Sequence, residues 1–253
     1  MKILRSYGIK GGVGKSMLAK QFADAFARGV LTSGQRLKVC IIDIDPLRAC
    51  FNFYNLAKKL EEDKLKQELL MSESERRLIY LKRYNQIKDW SERNDTEFYI
   101  SEYNEYIEKD IEKRMSFHVF TKEPKNIEDY DIVIYDYPPQ YKRDFKDGII
   151  LMPTRVDSES FLPSYTEYLS VKEDFYTILI PNLYNDKVRD QKLIFTKYFA
   201  GRHYLKERAC YQNAYRLGTT IFGEFTSIGL AQARAEFLGV FDDVKNILIN
   251  SVN

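Results

Sequence analysis

Residues 10–16 read Lys-Gly-Gly-Val-Gly-Lys-Ser, and this stretch is the most informative one for predicting the fold. An apolar segment around Ile3 and Leu4 precedes it, and a helical pattern follows it over residues 16–29. Glycines adopt positive φ angles easily, so we expect Gly11, Gly12 and Gly14 to turn successive N–H groups inward around an anion. The N-terminus of the following helix favours the same negative charge. A strand, a glycine loop and a helix in this order predict a phosphate-binding loop.

Each position of this loop has an expected role in holding a nucleoside triphosphate and its metal ion. We expect Lys15 to reach the β- and γ-phosphates and the Ser16 hydroxyl to bind Mg²⁺. The residues predicted to contact the nucleotide are Gly11, Gly12, Val13, Gly14, Lys15, Ser16 and Met17. The loop therefore predicts a nucleoside triphosphatase that uses magnesium.

Apolar runs alternate with helical patterns along most of the 253 residues. Nearly continuous apolar runs are typical of parallel strands that are buried on both faces. Such runs occur at residues 37–44, 117–120, 132–135, 148–152 and 177–180. This alternation predicts an α/β fold over residues 1–253, with a doubly wound, mostly parallel sheet flanked by helices in a single domain.

One segment departs from this rhythm. Residues 58–114 are dense in charged side chains, and leucines and isoleucine recur among them at roughly helical spacing, at Leu65, Leu69, Leu78, Leu81 and Ile87. The pattern predicts a charged helical insertion over residues 55–115. Two interpretations remain open: amphipathic helices with solvated outer faces, or a lid or partner-docking element.

Composition narrows the cellular setting. The formal net charge is +2, and the spacing of Cys40, Cys50 and Cys210 matches no zinc site, iron–sulfur site or disulfide framework. The first residues have no basic and apolar leader, and no apolar stretch approaches 18 residues. We therefore expect a protein of the reducing cytoplasm that does not span a membrane.

Acidic side chains follow two of the predicted strands. Asp136 ends the run at 132–135, while Asp43 and Asp45 stand in Ile-Asp-Ile-Asp-Pro at the end of another. Ligands bind at the carboxyl edge of open α/β sheets, so we expect Ser16, Asp43 and Asp136 to hold Mg²⁺. One carboxylate of the Asp43 and Asp45 pair can orient the attacking water while the other supports the metal. The alternative is that these carboxylates cap the next helix.

These motifs resemble the ParA/MinD family of deviant Walker A ATPases, and among them the ParA-like partition ATPases. The lysine at the first position of residues 10–16 carries the resemblance. Three further stretches agree in order and spacing, namely Asp43–Pro46, Tyr135–Pro139 and Ile150–Thr154. More weakly, Ile180-Pro-Asn182 and Arg208–Phe222 resemble the adenine-side segments, which makes Asn182 a candidate nucleotide contact. The resemblance implies a P-loop NTPase fold of the SIMIBI type.

The resemblance also implies a mechanism. Lys10 would cross a dimer interface to the nucleotide of the other subunit, in a homodimer that sandwiches ATP. By position, Asp45 matches the catalytic aspartate of the switch I segment, and Asp43 then supports the metal. Lys10, Lys15 and Asp45 are thus the expected catalytic residues. Hydrolysis in this family is slow and is stimulated by a partner protein.

Three positions depart from the family pattern. Met17 stands where partition ATPases usually have threonine, Leu47 replaces a glutamine, and Tyr137 replaces a threonine. The tail at residues 241–253 has one lysine and two aspartates, so it fits poorly to the basic membrane helix of MinD-like members. None of these departures removes a predicted catalytic or metal-binding residue.

A basic segment favours the partition branch, whose members bind DNA without sequence specificity. The predicted DNA-binding residues are Lys187, Arg189, Lys192, Lys197, Arg202 and Lys206. Such a cluster can neutralise phosphates, although charge runs are often only solvated faces. The predicted function is a Mg²⁺-dependent ATPase that segregates or positions a plasmid or other DNA with a small DNA-binding adaptor. The alternatives are an ATPase that positions a protein assembly for secretion, conjugation or chemotaxis, and a non-catalytic nucleotide-gated scaffold.

Overall fold

The computed structural model describes residues 1–72, 74, 75, 78, 79 and 111–250. Most of the predicted insertion, including Leu81 and Ile87, lies outside the described residues, as do residues 251–253 of the tail. Within the described ranges, strands and helices alternate as the sequence predicts. The strands are β1 (Lys2–Ser6), β2 (Val39–Asp43), β3 (His118–Phe120), β4 (Ile132–Asp136), β5 (Ile149–Arg155) and β6 (Thr177–Asn182). The helices are α1 (Lys15–Ala27), α2 (Ala49–Leu69), α3 (Ile111–Arg114), α4 (Ser158–Val171), α5 (Arg189–Tyr198), α6 (Ala209–Arg216) and α7 (Leu230–Asn250).

The six strands form one sheet in the order β3-β2-β4-β1-β5-β6, and every pair in it is parallel. Strand β1 lies in the middle of the sheet, between β4 and β5. From β1 the chain builds the sheet outward in both directions, with β2 and β3 on the β4 side and β6 on the β5 side. This confirms the predicted doubly wound α/β fold. In such sheets the cleft at the carboxyl ends of the central strands is where ligands bind.

Successive side chains of the central strands enter two separate apolar cores. Ile41 and Ile134 pack on the face that α1 and α7 cover, whereas Cys40, Ile42 and Val133 pack on the opposite face. Burial on both faces explains why these strands read as continuous apolar runs rather than alternating ones.

Helix α1 lies in the centre of the first core. Phe22 packs against Phe237 of α7 with ring centroids 4.8 Å apart and ring planes inclined at 57°, and Phe26 meets Phe241 edge to face at 5.7 Å. The buried residues of α7 therefore line an internal packing surface as far as Val244.

No described helix is long and apolar enough to cross a membrane.

The two described ends of the charged segment are held together by a buried ion pair. Both terminal guanidinium nitrogens of Arg114 in α3 donate hydrogen bonds to the Glu68 carboxylate of α2 at 3.2 Å, and both side chains are buried. The ion pair joins the end of α2 to α3, shortly before β3 begins.

Candidate nucleotide and metal site

The loop at residues 10–16 connects the end of β1 to the first turn of α1. Gly12 and Gly14 have positive φ angles of 69° and 98°, and Gly14 is the N-cap of the helix. Gly11 is not among the residues with positive φ, so the expectation that all three glycines would adopt it is wrong for this one. A Cβ at Gly11 would lie 3.8 Å from Pro139, which is an ordinary contact.

Asn182 at the end of β6 holds this loop in place. Its side-chain amide donates to the Val13 carbonyl at 2.7 Å, and a Cβ at Gly14 would come within 2.2 Å of the same amide nitrogen. Gly14 is thus required both by its φ angle and by this close approach. The sequence predicts Asn182 as a nucleotide contact, whereas the structure shows a contact with the loop itself that sequence reasoning did not identify.

Lys15 is 6 % exposed, and its ammonium donates to the Lys10 carbonyl at 2.9 Å. Burial lowers the pKa of Lys15, and the nearby charges of Asp136 and Asp45 oppose that shift. The ammonium therefore lies inside the loop beside both carboxylates, where it can meet a phosphate chain.

Asp43 and Asp136 face each other at the carboxyl edge of the sheet. They occupy paired positions of β2 and β4, and they are 2 % and 0 % exposed. Burial raises the pKa of Asp136 to about 6, although hydrogen bonds from Ser16 and Cys50 oppose the rise, and burial also raises the pKa of Asp43. Within the described residues, one oxygen of each carboxylate, Oδ1, is buried without a hydrogen-bond partner.

Buried polar atoms almost always have partners, so these two oxygens identify a place where a cation fits. Oxygen ligands suit Mg²⁺, and Ser16, in the first turn of α1, hydrogen-bonds to the Asp136 carboxylate. The structure thus brings the three predicted metal ligands, Ser16, Asp43 and Asp136, to one edge of the sheet.

The capping alternative also describes part of what these carboxylates do. Asp43 Oδ2 accepts from the Phe51 N–H in the first turn of α2 at 2.9 Å, and Asp45 Oδ1 accepts from the Leu47 N–H at 2.9 Å. The helix contact uses only one oxygen of Asp43, however, and leaves the other for a cation. Asp45 lies beyond the strand end, largely buried beside Lys15.

Sequence reasoning missed two functional candidates, Cys50 and Lys20. The Cys50 thiol lies 3.2 Å from Asp136 Oδ2 and donates to it, and the Lys20 ammonium lies over the rings of Phe53 and Tyr215 at 4.8 Å. Lys20 is four residues after Ser16, so a helical wheel places both on one face of α1. No comparable spacing signal marks Cys50.

The positions that depart from the family pattern also have defined surroundings. Leu47 is 79 % exposed, with its N–H bound to Asp45, while Tyr137 is buried and its hydroxyl oxygen accepts a hydrogen bond from the Arg5 guanidinium. Met17 borders a cavity of about 380 Å³ that is lined by residues of α1, α2 and α6. Its walls include Tyr211 and Tyr215 from the segment predicted to lie near the adenine.

The basic segment around α5 is mostly solvent-facing. Exposed side chains occur at Lys187, Arg189, Lys192, Lys197 and Arg202. Lys206 differs from these, because it is half-buried and its ammonium pairs with Asp186 at 3.0 Å. Arg208, which contributes to the positive charge of the same segment, pairs with Glu236. The freely exposed basic surface is therefore smaller than the charge count of the sequence indicates.

Comparison with known proteins identifies the class to which this fold and site belong. The sequence model of the family described as anion-transporting ATPase matches residues 1–142, a range that contains the glycine loop and all three acidic residues. The chain belongs to this family of ParA/MinD-type P-loop ATPases. No protein of curated function matches the sequence significantly.

Solved structures show the same fold at low sequence identity. A protein described as a plasmid partition protein from Borrelia burgdorferi B31, bound to AMPPNP, is 13 % identical, with a TM-score of 0.53 over 96 % of this chain and 98 % of that one. McdA from Cyanothece in complex with ATP is 18 % identical, with a TM-score of 0.51 over 97 % and 96 % of the two chains. The cell division ATPase MinD from Pyrococcus furiosus is 12 % identical, with a TM-score of 0.52 over 96 % and 99 %. These similarities support the fold alone.

Proposed function

We propose that this chain is a Mg²⁺-dependent ATPase that forms an ATP-sandwich homodimer, binds DNA without sequence specificity and moves or segregates it. The observation that carries the ATPase assignment is the pair of buried, unpartnered carboxylate oxygens on Asp43 and Asp136, beside the Lys15 ammonium. A site with two buried anions and one buried cation suits a metal–triphosphate complex, which supplies the complementary charges.

Ser16, Asp43 and Asp136 would hold the Mg²⁺ ion. When bound, this ion neutralises negative charge on the β- and γ-phosphates. Lys15 is already within the loop, and it exchanges its hydrogen bond with the Lys10 carbonyl for one to a phosphate. The N–H groups at the beginning of α1 and the positive end of its dipole favour the same anion.

Asp45 is the residue that orients the attacking water in this proposal. Its hydrogen bond from the Leu47 N–H restrains the carboxylate near Lys15. Lys10 supplies a positive charge across the dimer interface. Its side chain is half-buried, and it makes no ion pair with any described residue, so the ammonium is available to a second subunit. Preorganised charge of this kind is the main requirement of phosphoryl transfer.

The cavity beside Met17 is the proposed site for the adenine ring. Two tyrosine rings supply flat apolar walls, and the cavity lies next to the first turn of α1. An aromatic wall suits a purine base because both have polarisable faces. Tyr215→Ala should weaken ATP binding about tenfold, and an unchanged affinity would place the base elsewhere.

DNA binding is proposed for the exposed basic side chains around α5. Lys192 and Lys197 lie on the exposed surface of that helix, and neither pairs with an acidic side chain among the described residues. A dimer doubles the number of phosphate contacts, so ATP-driven dimerisation raises DNA affinity through avidity. A small DNA-binding adaptor that stimulates hydrolysis completes the cycle, which we place in the cytoplasm on the nucleoid.

Lys192→Ala with Lys197→Ala tests the DNA proposal. The dimer loses four phosphate contacts, two in each subunit, which should reduce the magnitude of the slope of log affinity against log salt by about 4. The matched control is Lys122→Ala with Lys125→Ala, which removes the same charge at the opposite edge of the sheet, after β3. Equal salt slopes in both variants would contradict the proposal, as would a dimer with Mg²⁺-ATP that binds no duplex DNA at low salt.

A dimer that ignores DNA would favour the second candidate, an ATPase that positions a protein assembly. The charged insertion at residues 55–115 is then the proposed docking element. Asp45→Ala separates both candidates from a non-catalytic scaffold. We expect this variant to bind ATP and to lose measurable hydrolysis, whereas a scaffold would show no hydrolysis in the wild-type protein either.

A further inference from the structure

Three buried groups from different elements meet at the carboxyl edge of the sheet. Asp43 ends β2, Cys50 lies in the first turn of α2 and Asp136 ends β4. One ligand atom from each residue lies within 4.8 Å of the others. The sequence shows no metal-binding spacing for this set, because the fold brings together residues that are up to 93 positions apart.

The hydrogen bonds of this cluster satisfy only one oxygen of each carboxylate, so a cation would complete it. Asp43 Oδ2 is held by the Phe51 N–H, and Asp136 Oδ2 accepts from the Cys50 thiol. The other oxygen of each carboxylate is buried and has no partner among the described residues. Two unsatisfied carboxylate oxygens and a sulfur atom, on residues whose ligand atoms lie within 4.8 Å of one another, make a ligand set for a cation.

The sulfur atom determines which cation the complete set prefers. Mg²⁺ takes oxygen ligands, so it can use the two carboxylates but gains nothing from Cys50. Zn²⁺ binds both cysteine sulfur and carboxylate oxygen at about 2.0–2.3 Å and accepts three protein ligands with a fourth position open. A carboxylate, carboxylate, thiolate set is therefore better matched to Zn²⁺ than to Mg²⁺.

We propose that Asp43, Cys50 and Asp136 form a binding site for Zn²⁺ that operates without nucleotide. On binding, the thiol loses its proton to solvent and a zinc–sulfur bond forms, with no change in oxidation state. Three anionic ligands exceed the ion's charge by one, and Lys20, which interacts electrostatically with all three residues, offsets the excess. Insofar as the proposed Mg²⁺ role holds, Zn²⁺ at these carboxylates displaces Mg²⁺ and stops hydrolysis.

The test is metal binding by the full-length, nucleotide-free protein. We expect the wild-type chain to bind one Zn²⁺, and to bind Co²⁺ with a sulfur-to-metal charge-transfer band in the near ultraviolet. Cys50→Ala should lose the band and at least tenfold in Zn²⁺ affinity. Cys210→Ala is the matched control, because that cysteine is also buried and free but lies away from the carboxylates.

A charge-transfer band that survives in Cys50→Ala, or Zn²⁺ affinity equal to that of wild type, would overturn the site. Should Cys50→Ala not fold, Asp43→Asn provides the second variant, and it should lower Zn²⁺ affinity to a similar extent. Hydrolysis of ATP without Zn²⁺ binding would refute the zinc site alone. Zn²⁺ binding in a protein that does not hydrolyse ATP would refute the proposed function and leave the zinc site standing.

Discussion

The buried carboxyl of Asp136 places opposite demands on stability and on metal binding. Its pKa of about 6 shows that burial disfavours the charged form in the metal-free protein. Asp43 lies opposite on β2, and its pKa is raised for the same reason. A bound cation would satisfy both carboxylates. Without it, their burial lowers the stability of the folded protein, and with it, their negative charge holds the ion.

This conflict predicts a pH dependence of the free energy of unfolding. The unfolded chain loses the Asp136 proton near pH 3.8, whereas the folded chain keeps it until about pH 6. The folded state binds more protons between these values, so stability falls as the pH rises from about 4 to 6 and stays low above it. The loss reaches about 3 kcal/mol, at about 1.4 kcal/mol for each pH unit.

Asp136→Asn should remove this loss and therefore stabilise the nucleotide-free protein at pH 7, while it abolishes Mg²⁺-dependent ATP binding. The measurement is denaturant unfolding of both proteins across pH 4–7, taking the difference between them so that shared titrations cancel. A constant difference would mean that Asp136 does not titrate in this range.

The position of an acidic residue could be predicted where it ends an apolar strand. Asp43 and Asp136 could be read from the sequence because each ends an apolar run. Cys50 could not, because its position beside Asp136 depends on where α2 begins relative to the end of β4, and nothing in its sequence neighbours signals that contact. Lys20 carried a signal, its helical spacing from Ser16, which a search for charged motifs does not detect.

At the scale of the element, Asn182 and Gly14 together set the shape of the glycine loop. Gly14→Ala would place a methyl group 2.2 Å from the Asn182 amide in a backbone with φ of 98°. Gly12→Ala is the natural comparison, since its φ of 69° is also positive but no atom lies within 4 Å. We expect Gly12→Ala to cost about 1 kcal/mol of stability, and Gly14→Ala to cost at least about 1 kcal/mol more through overpacking.

Thermal and denaturant unfolding of the nucleotide-free variants measures this difference without reference to phosphate binding. Equal destabilisation of the two variants would show that Asn182 yields to the added methyl group. The loop-holding role of Asn182 would then be wrong.

The ion pair between Arg114 and Glu68 is a second element-scale contact that can be tested. Removing one partner of a buried pair leaves the other charge unpaired, so Arg114→Met should cost about 3 kcal/mol. Adding Glu68→Gln should recover part of that loss. A double-mutant cycle by denaturant unfolding gives the coupling energy, and a value near zero would show that the pair does not join α2 to α3.

Strand positions followed from the sequence more closely than strand ends did. The last two strands continue past the predicted residues 152 and 180, through Pro153 and Pro181. Proline lacks the N–H that a central strand needs, which favours an earlier end. Pro153 lies beyond the last β5 residue that pairs with β1, and Pro181 lies in the edge strand β6, so both are tolerated.

At the scale of the whole molecule, the fold could be predicted from the sequence, but the distribution of free charge on the surface could not. The glycine loop and the order of apolar runs were enough to predict the doubly wound parallel sheet. The basic segment looked uniform in the sequence, yet the fold pairs Lys206 with Asp186, and Arg208 with Glu236. Such ion pairs join residues that are distant in the sequence, so a count of charges along one segment does not reveal them.

In the proposed function, ATP assembles a dimer through Lys10. The direct measurement is sedimentation velocity of the wild-type protein and of Lys10→Ala, each with Mg²⁺ and a non-hydrolysable ATP analogue, with nucleotide binding checked separately. We predict that the wild-type protein is a dimer and that Lys10→Ala binds the analogue but stays a monomer. A Lys10→Ala dimer as stable as wild type, or a wild-type protein that stays monomeric with nucleotide bound, would contradict the claim.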